Sequence, residues 1–255
     1  MEYPMSAKQS HHPSASISAA DWLRGGLLLL GNLVQFTAIP VRKRAVTYFE
    51  DGVSHGACGY LHQPLYDSGH ALAGADFTQD PAIIHVLLYV QVGCTVLYYV
   101  SPFNHSYFIH ELSYPLAIWG TLLIFKAATQ AVTLVPSPLE ECRSTDASYI
   151  GSAGFGTACN DMMFSGHTTS YLMLWFILYE MEASQVVLTG GALYVAIAIT
   201  LTILTRQHYS VDCLVAMALT GLSCIVWRQY RSYHQNPVQH PHPIHNTRST
   251  NFVID

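Results

Sequence analysis

Six apolar stretches, at about 22–40, 82–101, 114–135, 167–184, 186–205 and 209–227, constrain this chain more than any other feature. Most approach the roughly 20 residues that a helix needs to cross a hydrocarbon core. Charged residues make up only 11% of the 255 residues and hydrophobic ones 51%, whereas soluble domains carry about a quarter charged residues. A surface with so little charge fits lipid as its solvent. A soluble bundle is the competing reading, but helices apolar all round need a large core to cover them, and a chain of this length has none. The expectation is an all-α membrane protein with six transmembrane helices. The fourth is the weakest, because Glu180 and Glu182 cut it short. The first follows a polar leader without a small-residue cleavage site and reads as a retained span.

The domain reading follows. Residues 1–20, rich in Ser, Ala and His, read as a disordered leader, 21–228 as the six-span membrane domain, and 229–255 as a disordered tail. The tail's His240, His242 and His245 alternate with prolines, which suits a solvated segment better than a metal-transport site. Scattered Lys and Arg with a net charge of −5 exclude a nucleic-acid surface.

Six spans fix a parity. The connections after spans one, three and five share one face, opposite both termini. His167 opens span four and His208 opens span six, so both lie at one membrane depth although far apart in sequence. Basic residues do not orient the chain: Lys8, Arg24, Arg228, Arg231 and Arg248 on the terminal side balance Arg42, Lys43, Arg44, Arg143 and Arg206 on the other. Cys142 and Cys159 share one connection and are candidates for a disulfide if that side is oxidising. Cys94, Cys213 and Cys224 lie within spans and read as packing residues.

The chemistry concentrates in two short segments. In T-R-Q-H-Y-S-V-D-C, His208 and Asp212 are spaced i, i+4, on one helical face. A carboxylate on one imidazole nitrogen fixes the tautomer and leaves the other nitrogen for attack. The plainer alternative is an interfacial pair that caps a helix. In F-S-G-H-T, Ser165 and Gly166 precede a helix whose first N–H groups can meet an anion, and His167 can hand a proton to a leaving oxygen. Here too a simple N-cap by Ser165 or Thr168 competes. Lys126 lies about 15 Å before Pro136 on a helical rise, too deep to snorkel, and Thr129, Gln130 and Thr133 continue a polar stripe. A cation there needs a partner or a polar cavity, and a phosphate meets that need.

These segments resemble the lipid phosphate phosphatase superfamily, and within it the sphingomyelin synthase family. C-N-D-M-M-F-S-G-H-T at 159–168 is similar to that family's third motif, H-Y-S-V-D at 208–212 to its fourth, P-L-Y-D at 64–67 to its first, and K-A-A-T-Q-A-V-T-L-V-P at 126–136 to its second. The resemblance extends over about 40–255. Asn160 stands where the family usually has Gly, and Thr133-Leu134 occupies the place of the phosphatases' Arg-Pro, which removes a bidentate phosphate clamp.

The resemblance implies a lipid phosphate phosphatase-like helical core and a transferase that moves phosphocholine, or a related headgroup, from a glycerophospholipid to ceramide. His208 is then the nucleophile, Asp212 its orienting carboxylate and His167 the acid and base. Lys126, Asp161, Ser165, Gly166, Tyr209 and Asp67 are expected at the substrate. No metal or other cofactor is expected, since fixed cations and helix dipoles can stabilise phosphoryl charge. Partners are the phospholipid donor and a ceramide or diacylglycerol acceptor, with self-association left open. The expected location is the Golgi or plasma membrane, with the site on the lumenal or extracellular face and the tail in the cytosol. Competing readings are phosphocholine transfer between phosphatidylcholine and diacylglycerol, hydrolysis with water as acceptor, and a catalytically inactive scaffold.

Overall fold

The computed structural model describes residues 18–34, 65–73, 82–100, 109–132 and 163–235. All regular structure among the described residues is helical: α1 (19–34), α2 (Ser68–Ala73), α3 (Ala82–Val100), α4 (Ile109–Val132), α5 (Gly166–Glu180), α6 (Gln185–Leu204) and α7 (Ser210–Gln235). Asp161, Cys142 and Cys159, and with them the disulfide expectation, lie outside the described residues.

The fold is organised around α5. Ten of its 15 residues are buried, and α3, α4, α6 and α7 all pack on it. Apolar residues occur all round this helix, as an enclosed element requires. One cluster joins Tyr171 of α5 to Ile84 of α3, Val195, Ala198 and Ile199 of α6 and Cys213 of α7. A second joins Met173 and Phe176 of α5 to Leu122 of α4 and Ala216 of α7, with Phe164 from the approach to α5. Between helices in lipid, packing and interhelical hydrogen bonds replace the hydrophobic drive. The bonds are present: Tyr171 donates its hydroxyl to the Ile84 carbonyl at 2.7 Å, Gln91 Nε2 to the Tyr171 carbonyl at 3.0 Å, and Tyr194 its hydroxyl to the Leu87 carbonyl at 2.6 Å. Each is worth about 0.6–2 kcal/mol in such a setting.

Four helical segments, Ala82–Val100, Leu112–Thr129, Gln185–Leu204 and Ser210–Tyr233, are long and apolar enough to cross a membrane. Their outward faces carry Val86, Leu97, Leu193, Leu214 and Leu222, all exposed, as lipid-facing positions are. α5 is shorter than the 167–184 expected from the sequence. It stops at Glu180, capped by Met181, and Glu182 takes a left-handed φ of 53° in the turn to α6. At 1.5 Å per residue α5 is about 22 Å long, less than the ~30 Å hydrocarbon thickness.

Two other boundaries move. α4 begins at Ile109, within the link expected over Ser101–Ser113, and holds Pro115 inside its length. α7 runs on to Gln235, past the expected end of the sixth apolar stretch at about 227; Arg231 explains part of this extension, since it reaches Glu180 of α5 at 2.7 Å. Helix α1 crosses α4 at two glycines: a side chain on Gly31 or Gly120 would run into the other helix's backbone. Close approach through small residues is a standard route to helix association in membranes. Nearby, Asp21 accepts from Arg24 at 3.1 Å and from Ser113 Oγ at 3.1 Å, and the Arg24 guanidinium lies 3.6 Å from the Tyr114 ring centre.

Candidate active site

The beginnings of α3, α5 and α7 meet at one end of the bundle. His167 is the second residue of α5, while His85 lies about one turn inside α3 and Lys126 lies well before the end of α4. The start of α5 is therefore recessed among its longer neighbours. α6 returns the chain to this end, and its exit is sharp: Thr205 caps it and Arg206 takes a left-handed φ of 57°. A non-glycine residue seldom adopts that conformation. The turn delivers His208 two residues later, just ahead of α7.

His208 and Asp212 form the pair that their spacing implies. His208 Nδ1 lies 3.4 Å from Asp212 Oδ2, and the side chains are 6% and 1% exposed. The contact is at the long end of the hydrogen-bond range. The same carboxylate oxygen accepts the Tyr209 backbone N–H at 3.0 Å. Asp212 thus acts as the third-position acid of a capping box while also facing the imidazole. The capping contact and the imidazole contact use the same carboxylate oxygen.

Ser165 is the N-cap of α5, accepting from the Thr168 N–H at 3.2 Å. Its own N–H donates to the Asp212 carbonyl at 3.3 Å. That bond ties the start of α5 to the first turn of α7 and sets the His167 and His208 ring centres 6.1 Å apart. Gly166 serves close approach. A Cβ there would come within 2.6 Å of Lys126 Nζ, so the buried Lys126 ammonium lies against the first residue of α5. A cation and the N–H groups at a helix start both favour an anion. Lys126, the start of α5 and the two imidazoles can converge on one phosphate.

Asp67 and Tyr209, expected at the substrate, hold the framework of the site. Asp67 Oδ2 accepts the Ser210 N–H at 2.7 Å, and Oδ1 accepts Ser210 Oγ at 2.8 Å and the His70 N–H at 3.0 Å. One carboxylate caps both α2 and α7. Burial pushes this carboxyl's pKa up, but the bonds from Ser210 and His70 and the nearby His70 ring outweigh it, leaving the pKa below the ordinary 3.8. Tyr209 is buried, and its hydroxyl accepts the Leu65 N–H at 3.1 Å.

Two histidines escaped the sequence reading. His70 Nε2 lies 3.0 Å from the His208 carbonyl; a carbonyl can only accept, so His70 carries its proton on Nε2. His85 Nδ1 lies 3.3 Å from His167 Nε2, with ring centres 5.0 Å apart. The parity of spans held a signal for His85, since it opens span two on the same face as His167 and His208. The signal for His70 was its place three residues after Asp67, the spacing of an N-cap to its N3 partner. No group of three or more His, Cys, Asp or Glu placed to hold a metal occurs among the described residues.

Residues 158–230, from the approach to α5 through most of α7, match the family model described as PAP2 superfamily C-terminal. The match supports a place for this segment in the lipid phosphate phosphatase superfamily, and with it phosphatase- or phosphotransferase-type chemistry on lipid phosphates. No curated protein and no solved structure matches the chain.

Proposed function

We propose that the protein transfers a phospho-headgroup, phosphocholine or a close relative, from a glycerophospholipid to ceramide and releases diacylglycerol. The observation that carries this reading is the seating of His208 and His167 beside buried Lys126 at the start of α5, with Asp212 on one imidazole. In this reading α1 and α5 also cross the membrane, giving six spans, and the site opens on the lumenal or extracellular face.

The reaction runs in two halves. Asp212 holds Nδ1–H of His208, so Nε2 attacks the donor phosphorus. The P–N bond forms as the bond to the diacylglycerol oxygen breaks, and His167 gives that oxygen its proton. Asp212 stabilises the charged phosphoimidazole. In the second half the ceramide hydroxyl passes its proton to His167, its oxygen bonds to phosphorus, and the P–N electron pair returns to Nε2. Splitting one displacement into two frees the enzyme from holding both lipids at once. Lys126 and the α5 N–H groups offset the phosphoryl charge throughout.

The test uses membranes carrying the full chain, labelled ceramide and each donor lipid in turn, with products separated by chromatography. A ceramide-linked headgroup, lost in His208→Ala and His167→Ala, supports the reading. Substantial transfer by either variant removes the two-histidine mechanism. Free phosphorylated headgroup without ceramide moves the protein to hydrolysis. A diacylglycerol acceptor moves it to phosphocholine exchange between glycerolipids. No turnover of any donor leaves the scaffold reading.

A further inference from the structure

His208 has a partner on one ring nitrogen, and the transfer chemistry asks the same of His167. A general acid that must act as a base one half-reaction later needs a fixed tautomer, or its proton sits on the wrong nitrogen in a share of its neutral molecules. α3 supplies a candidate. His85 Nδ1 lies 3.3 Å from His167 Nε2, and the rings meet at 57°. One proton must lie between these nitrogens for the contact to be a hydrogen bond.

We propose that His85 is the positioning residue for His167: its neutral Nδ1 accepts the His167 Nε2–H and leaves His167 Nδ1 as the atom that moves the proton. This rests on the transferase reading above. The site then holds two parallel pairs, Asp212 with His208 and His85 with His167, each with one nitrogen fixed and the other at work. The choice of a neutral partner suits the role. A carboxylate beside His167 would favour its charged form in both halves, whereas an imidazole acceptor fixes the ring and still lets the proton leave. The ionisable groups that interact with His167 are His208 from the α6–α7 turn, His85 from α3 and Lys126 from α4. Only His85 is hydrogen-bonded to the His167 ring among the contacts described.

The arrangement has a pH signature. His85 accepts only while neutral, and His208 attacks only while neutral. Two protonations therefore inactivate the enzyme on the acid side, and log kcat against pH approaches a slope of two. An Asn at position 85 presents an amide oxygen near the Nδ1 position and does not titrate.

The experiment measures lipid transfer by the full chain in vesicles for wild type, His85→Leu and His85→Asn. We expect His85→Leu to lose about 100-fold in kcat with little change in KM, the scale seen when a tautomer-setting partner is removed. His85→Asn regains most of that loss, and its acid limb falls with a slope of one. An Asn variant as impaired as Leu, a Leu variant with wild-type kcat, or an unchanged slope of two in the Asn variant overturns the proposal. If His85→Leu does not fold, as judged by melting in detergent, the Asn slope alone decides. Nitrogen-15 resonances of labelled histidine in nanodiscs test the tautomer without any turnover. A protonated His167 Nε2 facing an unprotonated His85 Nδ1 supports the assignment even if no lipid is transferred, and the reverse protonation overturns it even if transfer is robust.

Discussion

The Ser165 N–H donates to the Asp212 carbonyl at 3.3 Å, so the cap of α5 and the carboxylate facing His208 are joined through the backbone. At the other end Glu180 of α5 pairs with Arg231 of α7. The two helices run parallel, fastened at both ends, with α6 as the return between them. Parallel helices start on the same side. This is why two histidines that each open a helix come within 6.1 Å.

Because the tie runs through the Asp212 carbonyl, the side chain can be changed without releasing α5. Asp212→Asn keeps that bond and a near-identical volume. It loses the acceptor that holds His208 Nδ1–H, and its amide can donate to Nδ1 instead, which selects the wrong tautomer. The expected result is a fall in kcat of about 10³–10⁴-fold, the scale for such a change in a catalytic pair, with a melting temperature within a few degrees of wild type. Steady-state lipid transfer alongside a melt in detergent checks both.

Gly166→Ala tests the approach of Lys126 to the start of α5. The new methyl meets Lys126 Nζ and, at 3.3 Å, its Cδ and Cε. The lysine is buried, so it has little room to yield, and Nζ must leave the helix start. If Lys126 and α5 share the phosphate, donor turnover falls by more than about tenfold, equivalent to ~1.4 kcal/mol of transition-state binding. Lys126→Met is expected to lose activity similarly, and the double variant to lose little more than either single, since both remove one interaction.

How much of this was legible in the sequence depended on spacing. His208 with Asp212, and His167 after Ser165-Gly166, were readable because i, i+4 pairs and helix starts are local. Parity carried those local signals into three dimensions. What stayed hidden came from elsewhere in the chain. His85 sits alone in an apolar run, and nothing local distinguishes it from a packed histidine until α3 is laid against α5. Asp67 was expected at the substrate only through the P-L-Y-D resemblance; its bond to the Ser210 N–H spans a separation no local pattern encodes. The early end of α5 was legible in Glu180 and Glu182, which cut the fourth span short, and the left-handed Glu182 marks the turn there.

Asp67 makes stability depend on pH in a defined direction. Its pKa lies below 3.8 when folded, so its contribution is fully present above the unfolded pKa near 3.8 and is lost as pH falls through the lower folded value. Asp67→Asn removes the charged acceptor for Ser210 and His70 and is expected to cost about 1–3 kcal/mol at neutral pH. Below pH 3.8 the gap between wild type and variant narrows, because the unfolded carboxylate takes up a proton that the folded one accepts only as pH falls through its lower pKa. Melting temperatures in detergent from pH 7 to pH 3 check this. A constant gap across that range contradicts the assignment.

The far end of the α5–α7 pair gives a prediction about stability without chemistry. Glu180 is 5% exposed at its side chain and Arg231 28%, with 2.7 Å between them; Arg228 lies 4.9 Å from the Tyr179 ring centre. Arg231→Met strands a buried carboxylate. Breaking a fully buried pair costs ~3–5 kcal/mol, and solvent at Arg231 reduces this to about 1–2 kcal/mol. The melting temperature is expected to fall by about 2–8 °C, on the scale of ~2–4 °C per kcal/mol for a chain of this size. Adding Glu180→Gln removes the stranded charge and recovers most of the loss. The kcat of the folded fraction is expected to stay near wild type in both variants, because the Ser165–Asp212 tie and the packing of Met173 and Phe176 on Ala216 hold the end that carries His167 and His208 without the ion pair. A kcat that falls with Arg231→Met and returns with the double variant shows instead that the far ion pair also holds the catalytic end in register.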